Sequence, residues 1–412
     1  KKVSHLPQLD LTFIQRQSYA WFIEEGIKEN LSEISPIVDF TGKNWELHFG
    51  EYNFGKPRYS PKDAIEKGVT FDIPLKVEAT LTNKQTGKSL TQEVFLGDIP
   101  AMTEVGTFII NGIERCVVNQ LVRSPGVYFS NTLDPATGRI LYSAEIRPMH
   151  GSWLEFNIAK NDVISVRIDR RRKFAATTLL RALELGSDEE IIQLFASVDT
   201  NPEHQCIVST ISKDPTKSQV EATLEIYRKM RPGEPVVLDN AQDLLSNLFF
   251  NGRRYDLGRV GRFKMSKKLS LDIPNSKENW VLTKNDIVGT IRYLIGLTQG
   301  KGYVDDIDHL GNRRVRRVGE LVATNAFRVG LLRLERTVRE KMSLAATQQG
   351  ELTPTQIVNA RPIIAAINDF FRTSQLSTIL DQTNPLAEVD NLRRLTVMGS
   401  GGISRERASF SI

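Results

Sequence analysis

Cysteine is almost missing from this chain: Cys116 and Cys206 are the two among 412 residues. Neither has Cys or His neighbours at metal-ligand spacing, which excludes a zinc site and a disulfide framework and leaves two buried thiols as the expectation. Histidine is scarce too, at five residues, none placed beside a Cys or Asp in a nucleophile pattern. The signatures GxxxxGK(S/T), HExxH and GxSxG do not occur, so no self-contained catalytic set is expected. No apolar run approaches the roughly 18 residues that a membrane span requires, and no charged-then-apolar leader opens the chain. The expected compartment is therefore the cytoplasm. A start without Met and a stop inside a motif lead to the expectation of a fragment.

Ordinary core-forming material is present: 40% of residues are hydrophobic and 25% charged, and a chain this long is expected to form two or three domains. The net charge of +5 is modest, but it is concentrated. Between Asn312 and Lys341 nine basic residues face three acidic ones, and between Arg253 and Lys268 seven face one. Such runs suit phosphate backbones, although a solvated helix face explains a single run equally well.

Hydrophobic periodicity changes along the chain. Leu11 to Ile27 suits an amphipathic helix, and Trp45, Leu47 and Phe49 alternate as in a strand. Phe71 to Leu81 is apolar at every second position, with Pro74 pointing to an edge or a bend. Asn111-Gly112 between apolar runs is a hairpin signal. Gln120 to Val127 reads as a polar bend. Trp153, beside Gly151-Ser152, is either a core anchor or a stacking platform.

Asp169-Arg170-Arg171-Arg172-Lys173 is expected to cap the helix that follows, where its cations oppose the macrodipole and call for a carboxylate or phosphate outside it. Helices then dominate from Asp188 onward. Three aspartates in Val304 to Arg314 lack the spacing of a calcium loop and are read as pairing with the following arginines. Phe327, Leu331, Leu334, Val338 and Met342 form one helical stripe, and Thr353-Pro354 starts a helix running to Phe371. The expected class is α+β, with antiparallel sheets plus helices.

The last stretch, Ser374 to Ile412, is rich in amides, hydroxyls, arginines and glycines. It is either a bland loop or a surface that touches something else. Its order SQLS, DQTNPL, RR and GGISRER closely resembles the fork region of the β subunit of bacterial DNA-directed RNA polymerase. The motifs QLVRSPGV (120–127), VRIDRRRK (166–173), YRKMRPGEP (227–235) and VDDIDHLGNRR (304–314) extend that resemblance over nearly the whole chain.

The resemblance implies an N-terminal portion of the subunit. A protrusion domain is expected from residues 1–111 and 318–377, with an inserted lobe domain at 115–310 and the start of the fork at 378–412. These elements would form one wall of the DNA cleft. Arg123, Trp153, Ile307, Asp308, Arg313, Ile403 and Ile412 match positions around the displaced non-template strand, and Arg405 and Arg407 match fork-loop arginines. An inhibitor pocket for rifamycins would correspond to Val118, Gln375, Leu376, Ser377, Asp381, Asn391, Arg394, Thr396 and Met398. Asn391 stands where sensitive members carry His, and Thr396 where they carry Ser, so weakened inhibitor binding is expected.

The implied partners are DNA, nascent RNA and the alpha, beta-prime and sigma subunits, with no membrane. Mg2+ is expected in beta-prime, no cofactor is expected in this chain, and the fragment would not polymerise alone. The location implied is the bacterial cytoplasm or, for an organelle, the plastid stroma. The competing expectation is a stand-alone nucleic-acid-binding protein without catalytic activity.

Overall fold

In a computed structural model the described residues are 10–348 and 352–402. They separate into two compact units, one made of residues 1–122 together with 315–412 and the other of residues 123–314. The chain thus leaves the first unit, builds the second, and returns.

The first unit carries a four-stranded antiparallel sheet in sequential order: Ile37–Val38, Trp45–Phe54, Asp72–Asn83 and Ser89–Pro100. Alternation puts Leu75, Val77, Ala79 and Leu81 inside, as a half-buried strand requires. Pro74 does not lie on an edge strand. It sits just past the last pair with the neighbouring strand, Phe54↔Leu75, and a register shift follows at Leu75/Lys76. A missing N–H is harmless there.

Helices Phe13–Trp21, Ile27–Ile34, Arg328–Gln348 and Arg361–Thr373 cover the sheet, and the stripe Phe327, Leu331, Leu334, Val338 and Met342 is fully buried. Two glycines permit close approaches between these helices and their neighbours. A Cβ on Gly319 would lie 1.8 Å from the Ser18 carbonyl oxygen, and one on Gly330 would lie 2.6 Å from the Ile363 Cα.

Asn111 and Gly112 have φ of 52° and 76° and join Phe108–Ile110 to Ile113–Val117 in the expected hairpin. Ile113–Val117 also pairs with Ser377–Ile379. Residues 113–122 therefore belong to the first unit, whereas the resemblance would begin the lobe at 115. Ser377–Ile379 ties the expected fork start to that same unit.

Gln120 to Val127 is not one polar bend. It contains the end of strand Asn119–Arg123 and the start of strand Gly126–Leu133, broken at Ser124-Pro125. The helix expected from Thr353 to Phe371 is two helices, Pro354–Ile357 and Arg361–Thr373. Pro362 lacks the N–H that would continue the ladder, and Asn359 Oδ1 accepts the Arg361 N–H at 3.0 Å instead.

The second unit holds a five-stranded antiparallel sheet, ordered Phe174–Ala175, Ile164–Ile168, Leu154–Ile158, Ile140–Arg147 and Gly126–Leu133. Seven α-helices between Ala176 and Thr298 pack with it around one core. Within it, Arg262 and Asp286 are both fully buried, 2.7 Å apart. Arg262 also donates to the carbonyls of Asn279 and Val281, and Asp286 accepts from the Thr283 N–H and hydroxyl. Every charge there has its partners. Cys116 and Cys206 are both buried free thiols.

Candidate nucleic-acid interface

The second unit gathers five of the candidate DNA-contacting residues. Strand Ile140–Arg147 buries Ala144 and Ile146, so period-two alternation turns Glu145 and Arg147 together to the other face. Glu145 uses one oxygen for Arg123 and the other for Arg147, each at 2.8 Å. The Arg147 guanidinium lies over the Trp153 ring, 4.2 Å from its centroid, and that of Arg170 lies at 5.3 Å.

Trp153 is half-buried. Its backbone N–H donates to Asp169 Oδ1 at 2.8 Å, and its carbonyl accepts from the Asp169 N–H at 3.0 Å. Asp169 and Arg170 both have left-handed backbones, with φ of 48° and 59°, conformations uncommon outside glycine. That turn returns Arg170 to the indole.

The basic run therefore does not cap the next helix, Ala176–Ala182, whose N-cap is Ala175 without a side-chain bond. Its charge is answered only in part. Arg170 pairs with Glu155 at 3.5 Å, and Arg171 donates to the Met230 carbonyl.

The Ser124 N–H donates to the Asn312 carbonyl at 2.9 Å, which places the aspartate-rich turn next to the Arg123 strand. There Arg313 pairs with Asp308, as expected of that turn, and its Nε donates to the Ile307 carbonyl at 3.4 Å. Burial pulls the Arg123 pKa below its ordinary value, and the positive charges of Arg147 and Arg313 add to that, against Glu145. Arg123, Arg147 and Trp153 thus form one connected set, and the Arg313–Asp308 pair lies in the turn bonded to the next residue, Ser124. The Arg147 Nε is buried and has no hydrogen-bond partner among the described residues.

Ile403, Arg405, Arg407 and Ile412 lie outside the described residues. Among the described residues no group of three or more His, Cys, Asp or Glu could hold a metal ion, and no helix is long and apolar enough to cross a membrane.

The basic runs divide into spent and unspent charge. Arg262 is fully buried, Lys268 pairs with Asp305 at 2.9 Å, and Lys264 donates to the Gly311 carbonyl. In the later run Arg328 pairs with Glu33, Arg339 with Glu335, and Arg316 with Glu320. Much of the charge that looked like phosphate-binding surface fastens the fold.

The residues matched to the inhibitor pocket lie in the first unit. The Val118 N–H donates to the Leu376 carbonyl at 2.8 Å, and the Ser377 hydroxyl to the Phe371 carbonyl at 2.7 Å. Val118, Leu376, Ser377 and Asn391 are buried, while Gln375, Asp381 and Arg394 are exposed. The Asn391 amide donates to the Ala387 carbonyl one turn back at 3.0 Å. Thr396 pairs in parallel register with Gln120, whose Nε2 donates to the Met398 carbonyl at 3.0 Å.

Arg147, Glu145, Glu155 and Asp169 were not candidates from sequence. For Glu145 and Arg147 a signal existed, since both stand opposite the apolar register of their strand, but nothing in the sequence said that the indole lay beside them.

Known proteins match both the inserted unit and the chain as a whole. Residues 123–316 match the family model RNA polymerase Rpb2, domain 2, a range that coincides with the inserted unit. The chain is 48% identical over 425 aligned residues, 97% of its length, to a protein of Chloroflexus aggregans named DNA-directed RNA polymerase subunit beta. It is 48% identical across its whole length to proteins of that name from two strains of Dehalococcoides mccartyi. It spans about a third of the length of these relatives, 33 to 34%. The class is thus a multisubunit RNA polymerase subunit. Within that class, the chain belongs to the DNA-directed RNA polymerase β-subunit family. These relatives lend no support to a stand-alone nucleic-acid-binding protein.

Proposed function

We propose that the chain forms one wall of the DNA cleft of a DNA-directed RNA polymerase and holds the displaced non-template strand beside it. The observation that carries this reading is the half-buried Trp153, with Arg147 and Arg170 over its ring and Arg123 joined to Arg147 through Glu145. An indole offers a stacking face that any base can use, and forked guanidinium groups serve phosphates or a guanine edge. Asp308, 82% exposed on its side chain, adds an acceptor that a cytosine or guanine amino group can meet.

On this reading the two-segment unit is the protrusion, joined by the start of the fork, and the inserted unit is the lobe. The partners are DNA, nascent RNA and the alpha, beta-prime and sigma subunits. Mg2+ belongs to beta-prime, and the chain's contribution is to position nucleic acid for a reaction completed elsewhere, in the bacterial cytoplasm. Co-purification of the full-length protein tests the assembly; failure to recover alpha and beta-prime subunits would remove it.

Crosslinking of a photoreactive non-template strand in the assembled polymerase tests the site. A signal on the Trp153 region that falls with Trp153→Ala supports it, and a signal confined to other surfaces does not. Rifamycin inhibition is expected to be weak, because Asn391 turns its amide to its own helix and Val118, Leu376 and Ser377 are buried. A dose–response curve for the assembled enzyme checks this, and tight inhibition would refute it.

A further inference from the structure

A pocket of about 260 Å³ opens on the second unit, apart from the tryptophan cluster's own contacts. Its apolar lining comes from Ala159, Val163, Phe174, Ala175 and Pro215. Three lysines, Lys173, Lys213 and Lys229, border it with a single carboxylate, Glu225.

These charges are not equivalent. Lys229 is already held by Glu225 at 3.4 Å and donates to the Lys173 carbonyl at 3.3 Å. Glu225 is engaged further by Arg228 at 2.9 Å. The ammonium groups of Lys173 and Lys213 are exposed and have neither a hydrogen bond nor an ion pair among the described residues. Lys173 immediately precedes Phe174–Ala175, the terminal strand of the five-stranded sheet, and Lys213 ends the helix Cys206–Lys213. Two unspent cations on different elements therefore flank an apolar floor.

The volume is too small for a cofactor, since such pockets run from about 300 to 1,000 Å³, but it accommodates a side chain. A bare anion would leave the apolar floor uncovered, and a purely apolar group would leave the lysines without partners. From this charge complementarity we infer that the pocket docks an acidic peptide segment of a partner protein, with one apolar side chain in the pocket and carboxylates on either side meeting Lys173 and Lys213. Opposite charges at such a rim set partner choice and the rate of encounter more than raw affinity. Part of the positive charge in the 169–173 run is then answered by a partner, where Arg170 and Arg171 are answered internally.

Titration of the full-length protein with the synthetic peptide Glu-Asp-Leu-Asp-Glu, followed by fluorescence anisotropy, tests this. Saturable binding is expected, weakened about tenfold or more by the paired changes Lys173→Glu and Lys213→Glu, and also weakened when the peptide's leucine is replaced by serine. Thermal melting of the double variant confirms an intact fold, because both side chains are exposed. Equal binding to the double variant would overturn the inference. So would inorganic phosphate displacing the peptide while the leucine and serine versions bind alike, because the pocket would then be a simple anion site.

Discussion

Two arginine–carboxylate networks occur in the inserted unit, and their chemistry is nearly the same. Arg262 and Asp286 are both fully buried, and each has its remaining polar atoms matched by backbone or hydroxyl partners. The Arg123–Glu145–Arg147 set is 13 to 27% exposed, and it leaves Arg147 Nε without a partner beside a half-buried indole. A buried pair whose bonds are complete has nothing left to offer a ligand. A half-open one with a stacking face does. The number of arginines in a stretch therefore says less about binding than where their hydrogen bonds end.

The comparison is broken most severely by Asp286→Ala. It strands a buried guanidinium and also removes the Asp286 half of the capping box of the helix Lys284–Thr298, and the expected loss is about 3–5 kcal/mol. Chemical denaturation of the full-length protein, read at probes in the inserted unit, measures it. Replacing both Arg262 and Asp286 with apolar residues of similar volume is expected to recover much of that loss.

Trp153→Ala is expected to behave in the opposite way, with little change in the melt. Its cost appears in single-strand binding by the assembled polymerase, about 1–3 kcal/mol per stacked base. Arg147→Ala should follow it with a smaller loss and a shallower salt dependence. If either variant lost stability as Asp286→Ala does, the distinction between the networks would fail.

The smallest effect sharpens the comparison with a carboxylate whose burial is offset only in part by the charge of Arg58. Burial raises Asp72 to about 6, and the negative charge of Asp98 adds to the shift. A folded-state pKa above the unfolded value near 4 means that folding favours the protonated carboxyl. The group therefore contributes stability as pH falls through about 6, and its charge opposes folding above that. Asp72→Asn should raise the melting temperature relative to the parent above about pH 7, with the difference fading toward pH 4. A constant difference across that range would show that charge is not the cause.

Much of the fold was legible in local chemistry. Asn111-Gly112 names its own turn, and the stripe from Phe327 to Met342 names its own buried face. Where local reading failed, the deciding partner lay elsewhere. Pro74 suits an edge or a bend, and only the place where the neighbouring strand stops decides against the edge and for the register shift at Leu75/Lys76. The helix from Thr353 was drawn too long because Asn359 and Pro362 together favour a fresh start at Arg361. Asp169 to Lys173 looked like a helix entry, whereas two left-handed residues turn it back onto Trp153. The motif match located Arg123, Trp153, Asp308 and Arg313, but the bridging Glu145 and the stacked Arg147 emerge only once two strands and a turn are side by side.

The hydroxyl of Ser18 accepts a bond from the Gly319 N–H, a partner 301 positions downstream. On the ribosome the inserted body is therefore finished while the body that surrounds it in sequence still lacks its second half. The first helix emerges early and waits, its apolar side unmet, until the Gly319 segment has been translated. Birth order and assembly order run in opposite directions in this polypeptide.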